Sequence, residues 1–177
     1  MRIAPIFLSL PLLLAAGGCA TTAQPAAGPS ASAQLSGSDG ASHGSATIVQ
    51  AEDGLHVTVM ATGLTPGVHA VHLHMIGLCS PPDFASAGGH WNPTGHKHGK
   101  DNPAGMHMGD MPNMLAAVDG TGRLDYVIPD GQLAAGATPL LDADGAAVVV
   151  HAKPDDNVSD PAGNAGGRVA CGVLKVQ

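Results

Sequence analysis

Short runs of alternating or β-branched residues recur along the chain and constrain its fold more than any other feature. Glycine and aspartate separate the runs, and no stretch of helical length carries an apolar stripe. Asp119-Gly120-Thr121-Gly122 lies between two of the runs and is typical of a hairpin. The sequence therefore predicts an all-β protein, an eight-stranded Greek-key barrel or sandwich with two long functional loops. The eight runs are residues 33–35, 46–50, 55–60, 70–75, 115–118, 123–128, 146–151 and 169–176.

Two long segments do not follow the strand pattern, residues 77–113 and residues 153–166. Loops of more than about fifteen residues are usually functional or disordered. The first segment contains four of the ten histidines, and the second leads into Arg168. We therefore interpret both segments as functional loops.

The histidines indicate a metal site. His72 and His74 lie two residues apart in an alternating apolar run, where a strand directs both side chains to one face. Such a pair alone is a weak signal. Seven of the ten histidines, however, lie between His69 and His107, and His151 ends another strand-like run. Imidazole clusters of this density suit zinc or copper, with carboxylate as a further ligand.

The N-terminus predicts export. Arg2 precedes fourteen mostly apolar residues, 3–16, which are too few to span a bilayer comfortably, so we interpret residues 1–18 as a signal peptide. Two glycines before Cys19 resemble a bacterial lipoprotein cleavage box and predict a lipid on Cys19. The alternative is an ordinary signal peptide in which Cys19 is incidental. Residues 19–32 predict a flexible tether, which leaves residues 33–177 as one domain.

The charge of the chain argues against nucleic acid as a partner. Without residues 1–18, the chain has six Lys and Arg against fourteen Asp and Glu, a formal charge of −8 with histidine neutral. After the signal peptide the aromatic side chains are Phe84, Trp91 and Tyr126, too few for a stacking platform. Nucleic-acid binding normally requires a basic surface.

An ordered series of motifs narrows the interpretation further. The motifs are His72-x-His74, Cys79, 86–93 (SAGGHWNP), 97–99 (KHG), His107-x-x-Asp110, His151 with Asp155, and 163–173 (GNAGGRVACGV). Their order and spacing resemble the copper/zinc superoxide dismutase family, in its bacterial lipoprotein form, over about residues 33–177. The chain departs from the commonest family pattern at Ala70, where glycine is usual, and at Met75, which is often acidic.

The resemblance implies a centre with one copper and one zinc per subunit. The implied copper ligands are His72, His74, His90 and His151, and the implied zinc ligands are His90, His98, His107 and Asp110. His90 would therefore bridge the two metals. Four imidazoles suit copper, and three imidazoles with one carboxylate close a tetrahedral zinc site. The resemblance also implies a disulfide between Cys79 and Cys171, which export permits.

Supporting roles follow from the same resemblance. Asp155 would accept hydrogen bonds from one histidine of each metal site, and the alternative is a solvated loop acid. His69 would link the site to nearby backbone. Arg168 and His90 would be the catalytic residues, with Arg168 orienting a small anion and His90 taking up a proton. The alternative for Arg168 is pairing with loop carbonyl groups only.

The favoured function is superoxide dismutation, 2 O2•− + 2 H+ → O2 + H2O2, in the bacterial periplasm, by an enzyme that is anchored to a membrane through its lipid. A metal-buffering lipoprotein is the first alternative, motivated by extra histidines and methionines. A structural or adhesion sandwich is the second, and it leaves the ligand set unexplained. The resemblance makes a homodimer the favoured assembly. The extra residues are His43, His56, His96, Met106, Met108, Met111 and Met114, and loop packing is the favoured interpretation of the methionines.

Overall fold

The computed structural model describes residue 1 and residues 28–177, and the strands within this part confirm the all-β prediction. The predicted signal peptide, Cys19 and most of the predicted tether lie outside the described residues. The only helical element among the described residues is a 3-10 turn at Ala85–Ala87. The strands are β1 (Ser30–Ser36), β2 (Ser42–Ala51), β3 (Gly54–Ala61), β4 (Gly67–His69), β5 (Val71–His74), β6 (Met114–Ala116), β7 (Gly122–Pro129), β8 (Ala147–His151), β9 (Arg168–Val173) and β10 (Lys175–Val176).

The strands form one antiparallel sheet in the order β4-β6-β7-β3-β2-β1-β9-β8-β5, with β10 paired to β1. Strands β4 and β5 lie at opposite ends of this order, yet only Ala70 separates them in the chain. The chain therefore passes directly from one edge of the sheet to the other. This connection curls the sheet into a nearly closed barrel, which leaves little exposed edge.

Two details differ from the eight predicted runs. Strand β4 precedes the run 70–75, because Ala70 leaves the ladder: its N–H donates to the Lys153 carbonyl (2.9 Å) and its carbonyl accepts from the His151 N–H (2.9 Å). The run 169–176 is divided at Leu174, whose N–H donates to the Ala146 carbonyl (3.0 Å). Ten short strands therefore replace the predicted eight.

The predicted hairpin at 119–122 joins β6 to β7. The Ala117 N–H donates to the Thr121 carbonyl (2.8 Å), and the Gly120 N–H donates to the Ala117 carbonyl (3.0 Å). The Asp119 carboxylate accepts from the Thr121 N–H (2.9 Å), which is the local pairing that aspartate commonly makes in turns.

Strands β5 and β8 are buried along their whole length. On the inner face, Leu73, Val148 and Val150 belong to the main aliphatic core of the barrel. On the outer face, Ala147 and Val149 pack with other residues in a second apolar cluster. The side chains on this outer face lie beneath the two long loops. The buried strands therefore form the surface against which the loop residues pack.

No helix among the described residues is both long and apolar enough to cross a membrane.

Candidate metal centre

The long loop 77–113 docks onto β5 at two points. His74 and His90 form an isolated antiparallel bridge, and so do His72 and Asp110. The Trp91 N–H donates to the Leu73 carbonyl (2.8 Å), and the Leu73 N–H donates to the Gly109 carbonyl (3.0 Å). This strand-like docking carries the loop residues to the face of β5 from which the paired histidines project.

The first cluster consists of buried imidazoles whose ligand nitrogens all lie within 4.8 Å of one another: His72, His74, His90 and His151. In three of these rings one nitrogen has a hydrogen-bond partner. Nε2 of His72 pairs with Asp155 (2.8 Å), Nδ1 of His74 pairs with the Gly88 carbonyl (3.0 Å), and Nδ1 of His90 pairs with Asp110 (2.8 Å). The other nitrogen of each, and both nitrogens of His151, are buried without a partner.

Buried polar atoms without a partner are rare in native proteins. Metal-ligating histidines characteristically donate from one ring nitrogen to a carboxylate or carbonyl and leave the other for the metal. The unpartnered atoms are Nδ1 of His72, Nε2 of His74 and of His90, and both ring nitrogens of His151. This donor set fits a metal ion, and copper is the ion that suits four imidazoles.

The second cluster is built around one carboxylate oxygen. Oδ1 of Asp110 lies 2.8, 3.0 and 3.2 Å from the Nδ1 atoms of His90, His98 and His107. The other oxygen, Oδ2, accepts from the backbone N–H of Gly99 (2.9 Å) and of His107 (3.0 Å). Three imidazoles and one carboxylate, all buried, fit the donor set of a closed zinc site.

His90 is the residue that the two clusters share. Its Nδ1 faces the second cluster, and its buried, unpartnered Nε2 faces the first. The ring centroids of His72 and His90 are 4.0 Å apart. One imidazole can therefore offer a nitrogen to each of two metals.

Asp155 connects the clusters through their outer nitrogens. Its Oδ2 pairs with Nε2 of His72 (2.8 Å), and its Oδ1 pairs with Nε2 of His98 (2.9 Å). Burial opposes the charge of this carboxylate, but hydrogen bonds from His72 and His98 outweigh burial and hold its pKa well below the usual range. Asp155 is 4% exposed, so its carboxylate is buried between the two clusters.

Two residues that support Asp155 were missed by the sequence analysis. Asn113 holds the Asp155 backbone, since its Oδ1 accepts from the Asp155 N–H (2.8 Å) and its Nδ2 donates to the Asp155 carbonyl (2.9 Å). Gly163 has φ of 62°, and a Cβ there would lie 1.8 Å from Oδ1 of Asp155. Gly163 falls in a recognised motif, whereas nothing in a single sequence singles out Asn113.

His69 does not face either cluster. Its Nδ1 donates to the carbonyl of His151 (2.7 Å), and its Nε2 lies 2.8 Å from the carbonyl of Thr65. The ring therefore holds the backbone of His151.

Arg168 lies beside the first cluster at the start of β9. Its guanidinium donates to the carbonyls of Phe84 (2.5 Å) and Gly88 (2.7 Å), and the Gly88 carbonyl also accepts from Nδ1 of His74. Burial lowers the pKa of Arg168, but a guanidinium stays protonated at neutral pH. Among the described residues Arg168 is in no ion pair, so no carboxylate of this part of the chain pairs directly with its charge.

Comparison with known proteins agrees with this geometry. Residues 42–174 match the family model described as copper/zinc superoxide dismutase (SODC). A copper/zinc superoxide dismutase from Caulobacter vibrioides is 45% identical over 149 residues, covering 82% of this chain and 86% of the relative. The chain belongs to the copper/zinc superoxide dismutase family. It is therefore an enzyme of a family that uses copper and zinc.

Solved structures of similar proteins share the fold. A crystal structure of a superoxide dismutase-like protein from Bacillus subtilis aligns with a TM-score of 0.77 at 37% identity, covering 81% of this chain and 97% of that protein. The copper/zinc superoxide dismutase from Brucella abortus aligns with a TM-score of 0.65 at 30% identity, covering 82% of this chain and 99% of that protein.

The disulfide of this superoxide dismutase joins Cys79 to Cys171, as the resemblance implies. It closes a loop with a sequence separation of 92, which restricts the unfolded chain by roughly 4–5 kcal/mol in the entropic model. Cys171 packs in the outer apolar cluster with Phe84, whose carbonyl binds Arg168. The disulfide thus ties the loop that holds the guanidinium to strand β9.

The metal-free clusters of the enzyme differ in protonation. Burial lowers the pKa of His72 to about 4, of His74 to about 2 and of His151 to about 3, so these imidazoles are neutral at neutral pH. Burial also opposes the charge of His98, but hydrogen bonds to Asp110 and Asp155 outweigh it and raise the pKa of His98 to about 9. Protons therefore compete with a metal at His98 of the second cluster and not at these three histidines of the first.

Zinc binding to the metal-free enzyme at pH 7.5 is expected to release about one proton, because Nδ1 of His98 must lose its proton to become a ligand. Zinc affinity should rise with pH and level off near the pKa of about 9. Calorimetric titrations in buffers of different ionisation enthalpy measure the released protons. A binding heat that does not depend on the buffer would contradict the raised pKa.

The three histidines to which the sequence assigns no role lie apart from both clusters. Nδ1 of His43 pairs with the Thr62 carbonyl, His56 pairs with Asp53, and Nδ1 of His96 pairs with the Met106 carbonyl. The four methionines within residues 106–114 divide into two pairs by burial. Met111 and Met114 are buried in the main core, 3% and 1% exposed, whereas Met106 and Met108 are half-buried.

Proposed function

We propose that the enzyme converts superoxide to oxygen and hydrogen peroxide, 2 O2•− + 2 H+ → O2 + H2O2, at a copper ion bound by the first cluster. The second cluster would bind zinc, with His90 between the metals. The observation that carries this proposal is the double role of His90, whose Nε2 is unpartnered beside the first cluster while Nδ1 belongs to the second. The family membership supports the reaction.

In this proposal copper supplies reversible one-electron exchange between Cu(II) and Cu(I). The chain supplies charge, orientation and a proton. Arg168 attracts the anion and orients it beside His74, to which it is linked through the Gly88 carbonyl. Nε2 of His90 would take up one proton from solvent when it no longer serves as a ligand, after the first superoxide is oxidised to O2. It would give this proton to the peroxide formed from the second superoxide, and solvent would supply the other proton of H2O2. Nδ1 of His90 stays in the second cluster and keeps the ring in place.

A metal-buffering protein is the second candidate function. Such a protein does not need a histidine that two clusters share. It also does not need a half-buried guanidinium that lies beside the clusters and is in no ion pair. Both features favour catalysis. The soft, partly buried methionines of the long loop favour additional metal binding, which is compatible with catalysis.

Superoxide consumption by the purified protein tests the proposal. We expect a second-order rate proportional to bound copper, which a copper chelator abolishes and added copper restores. A zero rate at full occupancy of both metals would overturn dismutation and leave metal buffering. Zinc-only protein serves as the matched control.

We also propose that the enzyme works in the cell envelope, with its signal peptide removed and Cys19 lipidated, so that it protects the bacterial periplasm and residues 33–177 act as one domain. The sequence before residue 28 supports this proposal through its apolar stretch and the small residues before Cys19. The disulfide agrees with an exported protein.

Mass spectrometry of the membrane fraction is expected to find a diacylglyceryl group on Cys19 as the first residue of the mature chain. A single acyl chain gives only marginal membrane binding by itself. A diacylglyceryl group has two such chains and therefore accounts for a stable anchor. Protein from a Cys19→Ser variant should lack the lipid mass and leave the membrane fraction. An unmodified Cys19 thiol in the wild-type protein would remove the anchor from the proposal.

A homodimer is likewise proposed, supported by exposed apolar side chains at one edge of the sheet. Val68 on β4 and Leu115 on β6 are cross-strand neighbours, 42% and 68% exposed. Val118, at the following turn, is 92% exposed. Sedimentation of the purified protein measures its oligomeric state.

A further inference from the structure

A surface cavity of about 390 Å³ lies beside the metal centre and has no part in the proposed reaction. His96, Met106 and Met108 line it together with Tyr126 and Asp130. His107 forms part of its wall and also belongs to the second cluster, so the cavity and the metal centre share this residue.

Core packing explains only one of the two methionines of this cavity in part: Met108 packs against the main core but stays half-buried, and Met106 does not belong to that core. Met111 and Met114, from the same stretch of chain, are almost completely buried in the main core. Met106 and Met108 stay half-buried, and both line the cavity. A flexible thioether that borders a cavity offers a soft sulfur ligand.

His96 is held with one ring nitrogen left for a ligand. Asn92 fixes its backbone on both sides, since the His96 N–H donates to Oδ1 of Asn92 (3.1 Å) and Nδ2 of Asn92 donates to the His96 carbonyl (2.8 Å). The ring donates from Nδ1 to the carbonyl of Met106 (3.2 Å). The carbonyl engages Nδ1 and leaves Nε2 as the ring nitrogen that can bind a metal, the same arrangement that metal-ligating histidines use.

The ligand set selects the ion. Two thioethers and one neutral imidazole are soft donors without charge, which suit Cu(I), whereas zinc in proteins takes thiolate, imidazole and carboxylate ligands. Asp130 adds one negative charge to the lining, and no Lys or Arg of the described residues lines the cavity. We infer that His96, Met106 and Met108 bind one Cu(I) ion, separate from the copper of the dismutase centre.

The test is an anaerobic titration of Cu(I) into purified protein that already holds one copper and one zinc, with bicinchoninate as the competing chelator. We expect one further equivalent of Cu(I) to bind. In protein labelled with carbon-13 at the methionine methyl groups, the signals of Met106 and Met108 should shift on binding, and that of Met60 should not. The methyl signals also distinguish this site from binding at Cys19.

Matched variants decide which residues bind the ion. Met106→Leu/Met108→Leu should lose the additional equivalent, because leucine keeps the size of methionine and removes the sulfur. Met60→Leu, at an exposed methionine on β3, should keep it. His96→Ala should weaken Cu(I) binding by at least about tenfold, the lower end of the loss that removal of even an outer-shell partner causes. His56→Ala, at an exposed histidine paired with Asp53, should not weaken it.

Copper and zinc content and the rate of superoxide consumption report whether each variant is folded, and Met108→Leu alone serves if the double variant is not. A wild-type protein that binds no third metal equivalent would overturn the inference. Equal Cu(I) affinity in wild-type and Met108→Leu protein, with unshifted Met106 and Met108 methyl signals, would overturn it too.

Discussion

His151→Ala is expected to lose copper and superoxide dismutation while zinc stays bound. His151 belongs to the first cluster only, and both of its ring nitrogens are buried without a partner. Removing the imidazole takes away one of four ligands, and we expect the loss of copper affinity to exceed the roughly 10–100-fold that loss of an outer-shell partner causes. Zinc should remain because no atom of the second cluster is changed. Metal analysis after dialysis, together with the rate of superoxide consumption, measures both effects.

Asp110→Ala is the reciprocal variant. Asp110 is the only carboxylate of the second cluster, and its Oδ2 also holds the backbone of Gly99 and His107. We expect zinc to be lost first and part of the copper to remain, because His90 is the one first-cluster histidine whose side chain hydrogen-bonds to the Asp110 carboxylate. His56→Ala is the control and should keep both metals. Equal loss of both metals in the His151 and Asp110 variants would contradict the assignment of separate sites.

Arg168→Ile is expected to keep both metals but to lower the second-order rate with superoxide at least about tenfold. Without residues 1–18 the chain carries a formal charge of −8, which repels an anion from most of its surface. A guanidinium beside the first cluster provides a local positive potential, and fields focused in a cleft raise association rates by about ten to a thousand fold. Isoleucine removes this charge.

The salt dependence separates attraction of the anion from a purely structural role. Charges in solution are screened over about 8 Å at physiological ionic strength, so the wild-type rate should fall with added salt more steeply than the Arg168→Ile rate. Arg168→Lys keeps the charge and loses the paired bonds to Phe84 and Gly88, so it should retain most of the salt slope. Pulse radiolysis across ionic strengths measures both quantities. A wild-type rate and slope in Arg168→Ile would leave Arg168 as a residue that only holds the loop.

Much of the fold was predictable because strand signals are local. Side chains alternate with a period of two in a strand, so residues 55–60 and 123–128 could be recognised from their own composition. The same rule predicts that His72 and His74 project to one face. The extra strand β4 could not be predicted, because Ala70 leaves the ladder through bonds to Lys153 and His151, more than eighty positions away.

The residues of the site were largely predictable from the sequence, but their relative orientation was not. The ordered motifs identify the family and imply which histidines meet. They do not indicate which ring nitrogen faces which cluster, and they do not indicate that Asn113 holds Asp155. They also cannot separate Met106 and Met108 at the cavity from Met111 and Met114 in the core, since all four lie close together in the sequence, within residues 106–114.

The sequence by itself determined the all-β class and the family, and its motifs indicate the candidate ligand residues, because strand alternation and motif spacing are properties of neighbouring residues. Only the tertiary structure decided how the ligands are arranged. His72 meets Asp155 across 83 positions and Cys79 meets Cys171 across 92, and such contacts depend on how the whole barrel closes. The free nitrogens, the neutral imidazoles and the protonated His98 all result from burial and partners that the folded chain alone supplies.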